Sequence, residues 1–217
     1  MRKISGLIKS PRSKKIKLFL DGKFAFSLEE TVVIQEKLEV GMELSESSIG
    51  SLQESNRYQK CLDSALRLLS YRPRSEHELT LRLDQRGFSK NEVAAVLSSL
   101  KRQGFVDDSN FARFWNDNRQ SFNPRSRRLT ETELRQKGVP VDIIEREVSA
   151  IDDSENAYRA ALKHARNLNT ADYPGFRRRL GEYLRRRGFG YDVINTTIIR
   201  LWKEKEEGET VDFSDAR

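Results

Sequence analysis

The stretch "RPRSEHELTLRLDQRGFSKNEV", residues 72–93, holds two helix starts and one helix stop. Ser75 with Glu78, and Ser89 with Glu92, fit the S-x-x-E pattern, in which a hydroxyl and a carboxylate satisfy backbone N–H groups that a helix start leaves without partners. Gly87 between them is placed to end the first helix in the left-handed conformation. Leu79 and Leu83 lie one turn apart on one face, and Glu78, Arg82 and Arg86 line another at i, i+4 spacing. The spacing predicts a short helix, a tight turn and a longer helix.

The same pattern recurs twice. "LDQRGFSKNEV" (83–93), "LRQKGVPVDII" (134–144) and "LRRRGFGYDVI" (184–194) align on Gly87, Gly138 and Gly188, which are 51 and 50 residues apart. Four positions before each glycine stands Leu83, Leu134 or Leu184, and one position before stands Arg86, Lys137 or Arg187. Apolar residues recur six positions after, as Val93, Ile144 and Ile194, and thirteen after, as Leu100, Ile151 and Leu201. Arg128 matches Arg178, and Arg135 matches Arg185. Self-similarity at a fixed period marks a repeat architecture. Each unit reads as a leading helix, a short basic helix ending at a left-handed glycine, and a closing helix.

The leading helices are expected at 58–70, 109–119 and 155–167. Asp107-Asp108 and Asp152-Asp153 precede the second and third, where carboxylates cap free N–H groups and complement the helix dipole. Pro124 and Pro174 suit the first turn of a helix. The second unit departs from the pattern at Leu129, because the first and third units carry their leucine one place later. That predicts a shifted or rotated helix.

Residues 1–55 differ from the rest. β-formers cluster at 4–9, 16–20 and 24–28, and Asp21-Gly22 between the last two is a strong hairpin signal. A short helix over 29–38 follows, Gly41 ends that section, and Ser45 caps a long helix running towards Tyr71. This module is nearly neutral, with nine Lys and Arg against eight Asp and Glu in residues 1–56. The expected fold is mainly α: an elongated array of three tandem three-helix, helix-turn-helix-like repeats at 56–106, 107–151 and 152–203, behind a small β-hairpin-containing module at 1–55. Residues 204–217 read as an acidic, disordered tail.

Among 217 residues, 34% are charged and 36% hydrophobic, and the formal net charge is +7, which favours anionic partners. No apolar run approaches the ~20 residues of a membrane span and the first ten residues lack a signal peptide's apolar core, so a cytoplasmic protein is expected. Cys61 is the only cysteine, and His77 and His164 share no ligand-like spacing, so neither a disulfide nor a zinc site is expected. Nucleotide-binding glycine motifs are absent from the sequence. Neither an enzyme nor a cofactor is expected. Trp115 and Trp202 fall at apolar helix positions and Phe189 matches Phe88 and Val139 in register, so all three read as core.

The densest basic stretch is "FRRRLGEYLRRRGFG", residues 176–190, in which Glu182 is the only acid. On a helix Arg178 and Arg185 are two turns apart, roughly 10 Å along the axis and about 20° out of line, with Phe176, Leu180 and Leu184 on the buried stripe. Arginine's forked donors suit carboxylates or phosphates, so charge alone leaves both an acidic protein and DNA open.

Arg72, Arg74, Ser75, Glu78 and Leu79, then "GFVDD" (104–108), Phe111-Ala112, Arg119 and "LRQKGV" (134–139), in this order and spacing, resemble the RecX regulatory proteins over about residues 58–203. The resemblance implies a modulator of the RecA recombinase. Such a protein would lodge its tandem three-helix units in the groove of the RecA filament on single-stranded DNA, and oppose filament assembly and the recombinase, ATPase and coprotease activities. It further implies a monomer with weak direct DNA binding, no membrane partner and no catalytic residues. Candidate RecA- or DNA-contacting residues are Arg72, Arg74, Arg82 and Arg86 in the first unit, and Arg125, Arg127, Arg128, Arg135 and Lys137 in the second. In the third they are Arg177, Arg178, Arg179, Arg185, Arg186 and Arg187. The alternative is a helix-turn-helix transcription regulator. It predicts base-reading polar residues on the helix after each turn, yet the bases here stand mostly before the glycine. A passive helical scaffold is a third reading.

Overall fold

A computed structural model describes residues 1–11, 13–165, 168 and 172–206. The chain forms two compact units, Met1–Val106 and Asp107–Arg217.

The first unit opens with strands β1 (Arg2–Lys9), β2 (Lys15–Leu20) and β3 (Lys23–Glu29), then helix α1 (Glu30–Gln35) and the two-residue strand β4 (Glu43–Leu44). The sheet is antiparallel in the order β3-β2-β1-β4. Asp21 and Gly22 both have positive φ, the geometry of a two-residue turn whose twist matches the flanking strands. Helix α1 is shorter than the sequence predicts, since Lys37 adopts φ +50°. Strand β4 carried no alternation of its own and pairs only because the loop brings it to β1.

Ser45 caps helix α2 (Glu46–Leu69), its hydroxyl accepting from Ser48 N. This helix serves two cores. Ile49 and Leu52 cover the sheet face formed by Ile4, Leu18, Leu20 and Leu28, whereas Cys61, Ala65 and Leu68 pack with helices α3 (Glu76–Asp84) and α4 (Lys90–Arg102). The expected division between residues 55 and 56 falls inside α2. Buried Asn56 ties the halves together, accepting from Glu29 N at 2.8 Å and donating to the Ser27 carbonyl at 3.0 Å. Burial also pushes the Cys61 thiol up to about 11.

Ser75 and Ser89 cap α3 and α4, and Ser89 forms the full reciprocal box with Glu92. Glu92 also takes the Arg57 guanidinium of α2, and this pair, with the Ser89 N–H, holds its carboxyl down at about 2. A depressed carboxyl contributes stability above its unfolded value near 4.3 and loses it as pH falls towards 2. In urea titrations from about pH 5 to about pH 2.5, Glu92→Gln is therefore expected to flatten the acid limb. Added salt should shrink the difference, because Arg57 is over half exposed. An unchanged acid limb would place that dependence elsewhere.

The second unit contains α5 (Asp108–Phe122), α6 (Arg127–Gln136), α7 (Val141–Val148), α8 (Asp153–Ala165), α9 (Tyr173–Arg186) and α10 (Tyr191–Glu206). Asp107 caps α5, accepting from Ser109 N and Asn110 N, and Asp152 does the same for Ser154 N and Glu155 N. Pro174 stands in the first turn of α9. Pro124 does not begin a helix: it precedes the buried cap Ser126 of α6 by two residues. Glu204, Lys205 and Glu206 belong to α10 and not to a tail, with Glu204 accepting from Tyr158 and Arg200. The remaining tail, 207–217, and the expected end of the third leading helix at 166–167 lie outside the described residues.

Helix α6 is not rotated. Thr130 takes the core place held by Leu79 and Leu180, and its hydroxyl is satisfied by the Ser126 carbonyl at 3.0 Å. Leu129 instead meets the third unit's turn. Gly87, Gly138 and Gly188 all have positive φ, as expected. A Cβ on Gly87 would meet nothing within 4 Å, whereas one on Gly188 would stand 2.7 Å from Leu129 Cβ and 2.5 Å from Ser126 Oγ. Gly87→Ala should thus cost the left-handed strain alone, about 1 kcal/mol. Gly188→Ala should cost about 2 to 3 kcal/mol by adding overpacking. Equal losses in chemical denaturation would show that the α6 contact yields freely.

Candidate functional site

Helix α9 has 14 residues against ten in α6 and nine in α3, and Asp172 caps it by accepting from Gly175 N. Phe176, Leu180 and Leu184 face the core built with Ala157, Ala160, Ala161, Ile198 and Leu201. That stripe turns Arg177, Arg178 and Arg185 onto the wall of an open groove of about 480 Å³ between α9 and α10. Gly181, Ile194 and Ile198 line it, with exposed Tyr191 and Glu182 beside them. Arg179 and Arg186 are also exposed. None of these five guanidinia makes an ion pair or side-chain hydrogen bond with another described residue.

The other candidate residues are placed differently. Arg72 grips the Glu78 carboxylate through two bonds of 2.9 Å, and Arg74 donates to the Leu68 carbonyl at 3.0 Å, closing the end of α2. Arg86 donates to the Ser64 hydroxyl, while Arg82 is exposed without such a partner among the described residues. In α6, Arg127 and Arg135 flank Glu131 at 3.3 and 3.6 Å, and Arg128 is exposed. Lys137 lies over the Trp115 ring.

Arg125 is turned inward onto Glu133, a buried carboxylate that also accepts from Trp115 Nε1 at 2.8 Å and Arg119 Nε at 2.7 Å. Nothing in the local pattern marks Glu133, since its partners come from a different helix and loop. Arg187 is likewise structural. Its carbonyl accepts from Ser126 N, its guanidinium donates to Asn123 Oδ1 at 2.7 Å, and it lies 3.9 Å from the centre of the Tyr183 ring. His164 stacks on the same ring at 3.8 Å, and burial, then Arg187 and Arg186, holds its imidazole below the usual range.

Three family models match in chain order: the first three-helix domain of RecX over residues 61–107, the second over 107–146 and the third over 152–198. The chain belongs to the RecX family. The regulatory protein RecX of Chlorobium limicola is 34% identical over 145 residues, covering 67% of this chain and 91% of that protein. The regulatory protein RecX of Bacillus subtilis (strain 168) is 29% identical over 199 residues, covering 90% of this chain and 75% of that protein. A crystal structure of regulatory protein RecX superposes with a TM-score of 0.66 at 26% identity, covering 91% of this chain and 98% of that one.

Coverage of 91% leaves too few residues unmatched to omit the 60 that precede the first RecX domain, so the sheet-bearing module is shared with that structure at least in part. The groove and the arginines that line it belong to the third RecX domain. Among the described residues no three His, Cys, Asp or Glu side chains converge to hold a metal, and no helix is long and apolar enough to cross a membrane.

Proposed function

We propose that this protein is a negative regulator of RecA that acts as a cytoplasmic monomer. It binds the RecA filament on single-stranded DNA through the basic face of α9, and opposes filament assembly and the recombinase, ATPase and coprotease activities. RecX membership and the name regulatory protein RecX borne by its relatives support this reading. The observation that carries it is the set of five arginines on α9 with no partner among the described residues, on a helix whose opposite stripe is fully buried. Guanidinium forks with unused donors are built for carboxylates and phosphates, and a filament of protein on DNA presents both.

A transcription regulator would read bases with the helix after each turn. Here those helices supply core residues, including Val93, Val96, Leu97 and Leu100 from α4, Ile144 and Val148 from α7, and Ile198 and Leu201 from α10. The arginines without a partner among the described residues stand before the turn.

The test is RecA strand exchange and ATP hydrolysis on single-stranded DNA, with and without the purified protein. Inhibition that survives a modest excess of free DNA is expected. Unchanged rates would overturn the reading, and inhibition erased by that DNA would assign the effect to sequestration of the strand.

A further inference from the structure

The second and third three-helix domains carry a carboxylate and a gap at the same position. Counting back from Gly138 and Gly188, Arg127 corresponds to Arg177, Glu131 to Gly181 and Arg135 to Arg185. In α6 the Glu131 carboxylate sits between its two arginines, 3.3 Å from Arg127 Nε and 3.6 Å from Arg135 Nη2. In α9 the matching guanidinia flank a residue with no side chain, and neither has another partner among the described residues.

Packing does not demand that glycine. A Cβ on Gly181 would meet Ile198 Cδ1 at 3.7 Å and Ile194 Cγ2 at 3.9 Å, both ordinary contacts, and its backbone is not left-handed. Glycine inside a helix is unfavourable relative to alanine. What Gly181 does is open the groove floor onto Ile194 and Ile198 between two arginines that have no partner among the described residues.

We propose that this gap receives an acidic segment of a partner protein. A carboxylate of that segment enters over Gly181 and is held by Arg177 and Arg185, as Glu131 is held by Arg127 and Arg135, while a neighbouring apolar side chain covers Ile194 and Ile198. The proposal rests on the reading of the α9 face as the working surface. A peptide fits better than a nucleic-acid backbone for two reasons. The apolar floor gives a phosphodiester nothing to bury against but gives an aliphatic side chain a dry contact. Glu182 on the wall repels evenly spaced phosphates, whereas a peptide can place its carboxylates away from it.

The test uses the full chain and two fluorescent probes, a short peptide alternating glutamate with leucine and an oligothymidine of similar length. Gly181→Glu supplies the carboxylate from within, so it is expected to weaken peptide binding about tenfold or more, leaving oligothymidine binding unchanged. Gly181→Ala, which adds a methyl group but no carboxylate, should weaken peptide binding less than Gly181→Glu does. Arg177→Gln with Arg185→Gln should lose the peptide without altering any core contact, which covers the case of a misfolded Gly181→Glu.

A parent protein that ignores the peptide overturns the clamp, as does a Gly181→Ala protein as impaired as Gly181→Glu. Equal loss of both probes in Gly181→Glu overturns it in favour of a phosphate site. No RecA is present in this assay. Peptide binding by a protein that leaves RecA activity untouched would therefore keep the clamp and discard the regulator reading, and the reverse pattern would discard the clamp alone.

Discussion

Replacing Arg177, Arg178 and Arg185 together with alanine is expected to remove most of the inhibition of RecA, equivalent to about 2 to 5 kcal/mol of filament affinity or roughly thirty-fold and upwards. All three line the groove of the third domain, and none is engaged by another described side chain. Stability should stay within about 0.5 kcal/mol of the parent, as for surface positions generally. The isolated protein's DNA binding separates the two kinds of ligand. If the arginines meet phosphates, the log-log salt slope should fall by about 2 units for three lost contacts at ~0.7 each. If they meet carboxylates on RecA, that slope should hardly move while inhibition of ATP hydrolysis collapses. The second outcome is expected, because Arg127 and Arg135 already show a carboxylate between two arginines of this register. A folded triple variant that inhibits like the parent would remove α9 as the contact surface.

Glu133→Gln is expected to be among the most destabilising single changes in the second domain, at about 3 kcal/mol. The carboxylate serves Trp115, Arg119 and Arg125 at once, and it is only 8% exposed. A neutral amide keeps the volume but leaves two half-buried guanidinia without a counter-charge. The estimate sits at the low end for a broken buried pair, since Arg119 and Arg125 keep some contact with water. Glu131→Gln provides the contrast. Its partners Arg127 and Arg135 are about half exposed, so its loss should cost under about 1 kcal/mol. Urea midpoints at constant slope compare the two directly. Similar losses for both would show that the Glu133 cluster contributes no more than a surface pair.

The elements themselves were legible in the chain because the interactions that start and stop them are local. Ser45, Ser75, Ser89, Asp107 and Asp152 each satisfy N–H groups two or three residues ahead. The Asp21-Gly22 turn and the glycines 87, 138 and 188 reflect backbone preferences of single residues. The buried stripes of α3, α6 and α9 follow from helical spacing alone. Such terms are settled within one turn, and a linear pattern records them.

The working surface was legible only in part, because an arginine's role is set by what stands opposite it. In sequence the fifteen basic candidates look alike. In space Arg187 meets Asn123, 64 residues away, Arg86 meets Ser64, and Arg125 turns inward to Glu133, while five arginines of α9 meet no other described side chain. The same limit explains α6 and α2. Leu129 broke the apolar register because it packs on the turn at Gly188, with Thr130 filling the core by satisfying its own hydroxyl one turn back. Helix α2 could be divided on composition, but Asn56 and its bonds to β3 join the sheet module to the first three-helix domain. Composition and periodicity determined which helices and turns exist; only tertiary contact decided which charges are spent inside the fold and which remain for a partner, because desolvation and pairing depend on distances that sequence separation does not encode.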